Sequence, residues 1–291
     1  MRRYLAICGG GVLLGLIALL AWPFARHALF VWRAGPMVGG SIEGDRAGEL
    51  RTDNLLRMAF IWIPPGRFKM GSPPGEKKRY KNETQVDTTI AHGFWLGRYE
   101  VTQAQWQEVI GSSPWFWGRG SDYPATYVSW DDATRFCESL TEREQKSGRL
   151  PAGWEYTLPT EAQWEYACRA GSSTAYCFGD DESQLGRYAW YDDNTSKANE
   201  RYAHRVGQKE PNAWGLYDMH GNVLEWCRDE GPIVTETDVR LKPIYGTPRF
   251  MLGGSWFHGA EGCRSAFRTS NWKHDRAAYL GFRVALVQSA K

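Results

Sequence analysis

The stretch Pro211–Cys227, PNAWGLYDMHGNVLEWC, sets Asp218 and Glu225 on either side of a Gly221-Asn222 turn signal, inside a run that also holds Trp214, Leu216, Met219, Val223, Leu224 and Trp226. A chain that buries this run buries two acids with it, and a buried carboxylate needs a hydrogen-bonding, ionic or metal partner. Carboxylates around a glycine turn, with backbone carbonyls free between them, suit a hard cation such as Ca²⁺. In the competing reading Asp218 caps a turn and Glu225 pairs with an arginine.

The rest of the chain must accommodate 15 Trp and 32 Gly in 291 residues. Wide aromatic surfaces between segments that turn often favour an irregular, loop-rich fold over a long-helix bundle. The net charge of +2, with no basic block, excludes a phosphate backbone as the natural partner.

Tyr4–Phe24 carries no charge and follows Met1-Arg2-Arg3. It has the length of a bilayer-spanning helix and reads as an uncleaved signal anchor over residues 1–25, with a cleaved signal peptide as the alternative. Residues 26–57, rich in glycine and charge, read as a linker, and residues 58–291 as one domain facing the periplasm or the cell exterior. Besides Cys8, the domain has Cys137, Cys168, Cys177, Cys227 and Cys263, an odd number with no zinc spacing.

Local signals place short elements along the domain. Phe60–Ile63, a Pro/Gly turn and Arg67–Met70 read as a hairpin, Phe94–Leu96 as another strand, and Pro73–Asp87 as a polar surface loop. Thr102, Ser129 and Thr160 each stand where a hydroxyl caps a helix, ahead of Gln103–Ile110, Asp131–Lys146 and Glu161–Arg169. In the second helix Ala133, Phe136, Cys137 and Leu140 share one face. Further short strands are expected at 223–227, 249–252 and 281–286.

Read in order, the motifs FKMGS (68–72), GRYEVTQAQW (97–106), LPTEAQWEYACRAG (158–171), the Pro211–Cys227 stretch, GGSW (253–256), CRSAFR (263–268) and GFR (281–283) closely resemble the formylglycine-generating enzyme family, also called sulfatase-modifying factors. The resemblance implies an α+β fold: a single C-type-lectin-like domain with short helices, short strands and much irregular structure. It also implies a structural Ca²⁺ held by the side chains of Asp218 and Glu225 and the carbonyls of Gly221 and Val223. Cys137 and Cys168 match half-cystines of relatives, while the partner positions hold Val284 and Arg268.

Catalytic relatives oxidise a cysteine of a sulfatase with O₂ and a Cu(I) ion held by two thiolates, a ligand pair that suits a soft metal. Aligned from Ser255, this chain has His258 at the first thiolate position and Cys263 at the second. Copper is therefore not expected. The groove of Trp256, His258 and Arg264 reads as a recognition surface for a periplasmic protein or peptide. The implied role is accessory or regulatory, as beside type VI secretion or an envelope enzyme. The alternative is a copper- or O₂-dependent oxidase in which Cys263 and Ser255 are catalytic. Arg264, Arg268 and Arg283 are expected in buried ion pairs with acids such as Glu161, Glu165 or Glu225.

Overall fold

The computed structural model describes residues 42–232 and 246–289. The Tyr4–Phe24 span lies outside them. Among the described residues no helix is long and apolar enough to cross a membrane.

Among the described residues, three sheets, three capped helices of two or more turns and a few single-turn helices make up the regular structure. The central sheet is antiparallel and runs in the order β1 (Leu50–Arg51), β2 (Phe60–Ile63), β5 (Phe94–Gly97), β11 (Ala285–Gln288), β6 (Trp154–Thr157). Its inner strands are short apolar runs without alternation, as strands covered on both faces must be, and β2 and β5 are buried throughout. A second sheet orders β10 (Leu280–Gly281), β7 (Leu224–Glu230), β8 (Pro248–Leu252) and β9 (Arg268–Trp272), with β10 parallel to β7. The third is the hairpin ribbon of β3 (Gly66–Met70) and β4 (Val86–Ile90).

Each helix begins at its expected cap. Thr102, Ser129 and Thr160 form reciprocal capping boxes with Gln105, Asp132 and Gln163 at the starts of α1 (Gln103–Ile110), α2 (Trp130–Lys146) and α3 (Glu161–Arg169). Helix α2 turns Ala133, Phe136, Cys137 and Leu140 inward. There Phe136 stacks on Trp106 of α1 at 5.9 Å and meets Phe282 edge-on at 5.4 Å. Gly111 ends α1 in the left-handed conformation, and Ala170, itself left-handed at φ 46°, ends α3.

Two boundaries differ from expectation. The linker reading fails from Ile42 onward, because Leu50 pairs with Ile61 and Trp95 Nε1 donates to the Ile42 carbonyl at 2.7 Å. A two-residue edge strand carries too little hydrophobic pattern to show in a charged, glycine-rich stretch. The polar run ahead of β4 is likewise no simple surface loop, for its Glu83 is fully buried and hydrogen-bonded to Ser72 and Arg264.

Buried arginines join these pieces. Arg283 and Glu225, both fully buried, form a two-point ion pair at 2.6 and 2.7 Å, and Arg283 also donates to Gly97 O and Tyr217 O at 3.0 and 2.9 Å. Arg268 bridges Glu161, at 2.8 Å, and Glu165 of α3. That helix also carries Cys168, and Cys137 and Val284 both belong to the main apolar core. Breaking a buried pair by removing one partner leaves an uncompensated charge and costs about 3–5 kcal/mol. Arg283→Met should therefore lower the urea unfolding midpoint sharply, and adding Glu225→Gln should recover part of the loss; equal midpoints for wild type and Arg283→Met would contradict this account.

Candidate functional site

The groove expected around Ser255 and Cys263 starts at the turn after β8. Gly253 and Gly254 have φ of 96° and 70°, and a Cβ on Gly254 would lie 2.7 Å from Cys263 Sγ. Only glycine lets this turn close over the thiol. Ser255 follows, fully buried, and its Oγ lies 2.7 Å from His258 Nδ1 while accepting the Phe257 N–H at 3.2 Å. The Ser255 hydroxyl thus engages one ring nitrogen of His258 and fixes the orientation of the imidazole. Burial pushes the His258 pKa below its ordinary value, with Glu261 pulling the other way, so the imidazole is neutral.

Aromatic rings surround that imidazole. Phe267, Tyr279 and Phe257 lie 5.9, 6.0 and 6.2 Å from it, and Phe257 stacks on Tyr279 at 5.7 Å. Phe257 is 57% exposed, so the ring array reaches the surface. Trp256 is held on three sides: its N–H donates to Asn222 O, its indole donates to Ala278 O, and its carbonyl accepts from the Thr195 hydroxyl.

Cys263 sits at the end of a 3₁₀ turn, Ala260–Cys263, and is fully buried among Tyr176, Leu185 and Ala189. Burial raises its thiol pKa far above the usual range, only partly opposed by a hydrogen bond from the Ser255 N–H. Cys227, the other thiol that might have served here, is buried in a different cluster with Trp164 and Leu252.

Arg264 does not serve the groove as expected. It is 2% exposed and spends its guanidinium on Glu76 and Glu83, at 2.6 Å each. This pair lies instead beside a cavity of about 850 Å³ whose wall includes Glu76, Lys78, Tyr176, Glu182 and Arg264. Neither His258 nor Cys263 is on that wall.

The acids of Pro211–Cys227 occupy a second site. Glu225 has no free oxygen for a cation to share easily, since Arg283 takes both and Trp164 Nε1 also donates to Oε2 at 2.7 Å. Glu225 is thus paired with an arginine, as the competing reading of the sequence has it. Asp218, left-handed at φ 60° and 1% exposed, accepts from Gly207 N at 2.7 Å through Oδ2, while Oδ1 has no partner. Glu100, equally buried, accepts from Asn222 Nδ2 at 3.1 Å through Oε1, and its Oε2 has no partner either. Burial raises both carboxyl pKa values; the charges of Asp218 and Glu225 push Glu100 further up, whereas Asp218 is pushed up by Glu225 and held down by the hydrogen bond from Gly207 N, by Arg283 and by the Glu100 carboxyl. Gly221 and Val223 stay in the same turn.

Three buried acids thus face one buried arginine, and two orphaned carboxylate oxygens remain. That donor set fits a hard cation completed by backbone oxygens. It does not fit one held by side chains alone, since among the described residues no group of three His, Cys, Asp or Glu is arranged to hold a metal. Glu100 escaped notice in the sequence, although it lies within the GRYEVTQAQW motif.

Known proteins resemble this chain over most of the described domain. The chain is 30% identical over 237 residues to the chaperone protein LppX of Paenibacillus barcinonensis, covering 68% of this chain and 78% of that one. It is 28% identical to the formylglycine-generating enzyme of Streptomyces coelicolor, covering 77% of this chain and 88% of the enzyme. The solved structure of PvdO from Pseudomonas aeruginosa superposes with a TM-score of 0.69 at 25% identity, over 84% of this chain and 99% of PvdO. The description "Sulfatase-modifying factor enzyme 1-like domain" matches residues 47–287, and with a match over most of its length the chain belongs to the sulfatase-modifying factor family.

Proposed function

We propose that this chain is a binding or accessory member of its family, which recognises a protein or peptide through the aromatic groove around Trp256, Phe257 and His258 and does not generate formylglycine. The carrying observation is the Ser255–His258 hydrogen bond of 2.7 Å. The imidazole that stands in for a thiolate spends one nitrogen on Ser255, and Cys263 is buried as a neutral thiol. One imidazole with one sulfur is a different ligand set from the two thiolates that suit Cu(I). A relative named as a chaperone supports an accessory role, and the charge-free run Tyr4–Phe24 supports a membrane-tethered domain facing the periplasm.

The test is direct. Incubated with Cu(I), O₂ and a peptide containing Cys-x-Pro-x-Arg, the purified protein should yield no aldehyde by mass spectrometry. Aldehyde that disappears in Cys263→Ala would restore the oxidase reading supported by the formylglycine-generating relatives.

The same proposal includes a structural Ca²⁺ bound by Asp218 Oδ1 and Glu100 Oε2 with backbone oxygens of the Gly221–Val223 turn. Its contribution would be to neutralise the excess buried negative charge and fix that turn. A cation bound only by the folded state stabilises it by about 2.7 kcal/mol at a hundredfold excess over Kd. Refolding in chelator should lower the melting temperature, and Glu100→Gln with Asp218→Asn should abolish the difference between chelator and Ca²⁺. Identical melting curves for wild type refolded with and without Ca²⁺ would reject the site.

A further inference from the structure

Among the described residues the most exposed large rings are Trp117, at 63%, Phe116, at 61%, and Phe257. They flank one tripeptide, Ala277-Ala278-Tyr279. Phe116 meets Tyr127 edge-on at 5.0 Å, and the Tyr127 N–H donates to Ala277 O at 3.0 Å. From the groove, the Trp256 indole donates to Ala278 O at 3.3 Å and Phe257 stacks on Tyr279. Gly118 reaches the same cluster, for a Cβ on it would lie 2.7 Å from Ala203 O, and Ala203 packs with Trp256. Phe116 and Trp117 thus continue the aromatic surface of the groove.

The loop that presents these two rings is pinned. Trp115, just ahead of them, is buried in the main core. Gln103 of α1, itself 4% exposed, donates to Gly118 O at 2.6 Å and accepts from Gly120 N at 3.0 Å. Tyr127, against which Phe116 rests, is left-handed at φ 57°, an outlier for a bulky residue. Apolar surface held in water on a fixed backbone marks a contact site, because little ordering is left for a partner to impose.

The rim of this loop is cationic. Arg119 donates through Nε to the Phe116 carbonyl at 3.2 Å, and Arg205 stands 5.8 Å from the ring of Tyr123, which packs beside Gly118 and Gly120. Among the described residues neither arginine has an ion pair, whereas Arg264, Arg268 and Arg283 are all paired. Asp122, the acid of this loop, accepts from the Ser121 hydroxyl at 3.0 Å and pairs with neither. Tryptophan and arginine together are the residues that dominate binding energy at protein interfaces, and a guanidinium with free donors selects a carboxylate.

We infer that Phe116–Arg119 is a docking surface for a polypeptide segment that carries carboxylates beside aromatic or aliphatic side chains, an inference that rests on the recognition role proposed for the groove. The apolar side chains of the segment cover Phe116 and Trp117, and its carboxylates pair with Arg119 and Arg205. The rest of its length runs toward Tyr279 and Phe257.

The experiment pans a displayed library of random dodecapeptides on the full chain held in detergent and measures the enriched peptides by fluorescence anisotropy. Enriched sequences should combine Asp or Glu with aromatic or aliphatic residues, and their affinity for the wild type should fall with added NaCl. Trp117→Ala and Arg119→Glu should each weaken binding about tenfold or more and leave the melting temperature unchanged. The salt series uses the wild type alone, so it tests the charge assignment whether or not a variant folds. Neutral or basic binders, binding indifferent to salt, or acidic binders that lose affinity only in Phe257→Ala would overturn this docking surface and leave recognition at the groove intact. A library without binders, or binders indifferent to all three substitutions, would overturn both.

Discussion

The two-point pair between Arg283 and Glu225 is the interaction on which the other parts depend. It ties the strand after the GFR motif to β7, and through Gly97 O and Tyr217 O it reaches the end of β5 and the loop before the acidic turn. Taking both ions out of water is costly, and the pair is tolerable because each remaining polar atom finds a partner. In a fold with so little regular structure, such pairs do what long helices do elsewhere. They set where one loop stands relative to another.

The same logic explains the aromatic surface beside Cys263. Arg264 is withdrawn from it by Glu76 and Glu83, and Arg268 is held against α3, so both arginines that follow Cys263 face inward. What remains toward solvent is aromatic, with Phe257 and Tyr279 stacked over a neutral His258. Rings of this kind offer large contact area with little rotamer freedom to lose, which suits recognition of a polypeptide.

How much of this could be read in the sequence depends on how far apart the partners lie. The three helix starts were legible because cap and partner are three residues apart, and the buried face of α2 because its period is local. The arginines were legible as a class, since a charge in an apolar motif must be paired, and two of the three meet acids named from the sequence. Arg264 meets Glu83, 181 residues away, inside a run whose polarity concealed a buried acid. Glu100 gains its meaning only from Asn222, 122 residues along the chain. The start of the folded region was hidden for a different reason: β1 is two residues long, too short for any period to show.

The position of β11 has a consequence for how the protein is made. Ala285–Gln288 lies between β5 and β6, with strands hydrogen-bonded to it on both sides. The central sheet therefore stays split, with two open edges, until Gln288 has left the ribosome. Helices α1 and α2 can form during synthesis, but the apolar faces of β2, β5 and β6 must wait through most of translation. For those minutes or seconds the nascent chain exposes sticky strand edges, and its yield depends on what shields them before the last strand arrives.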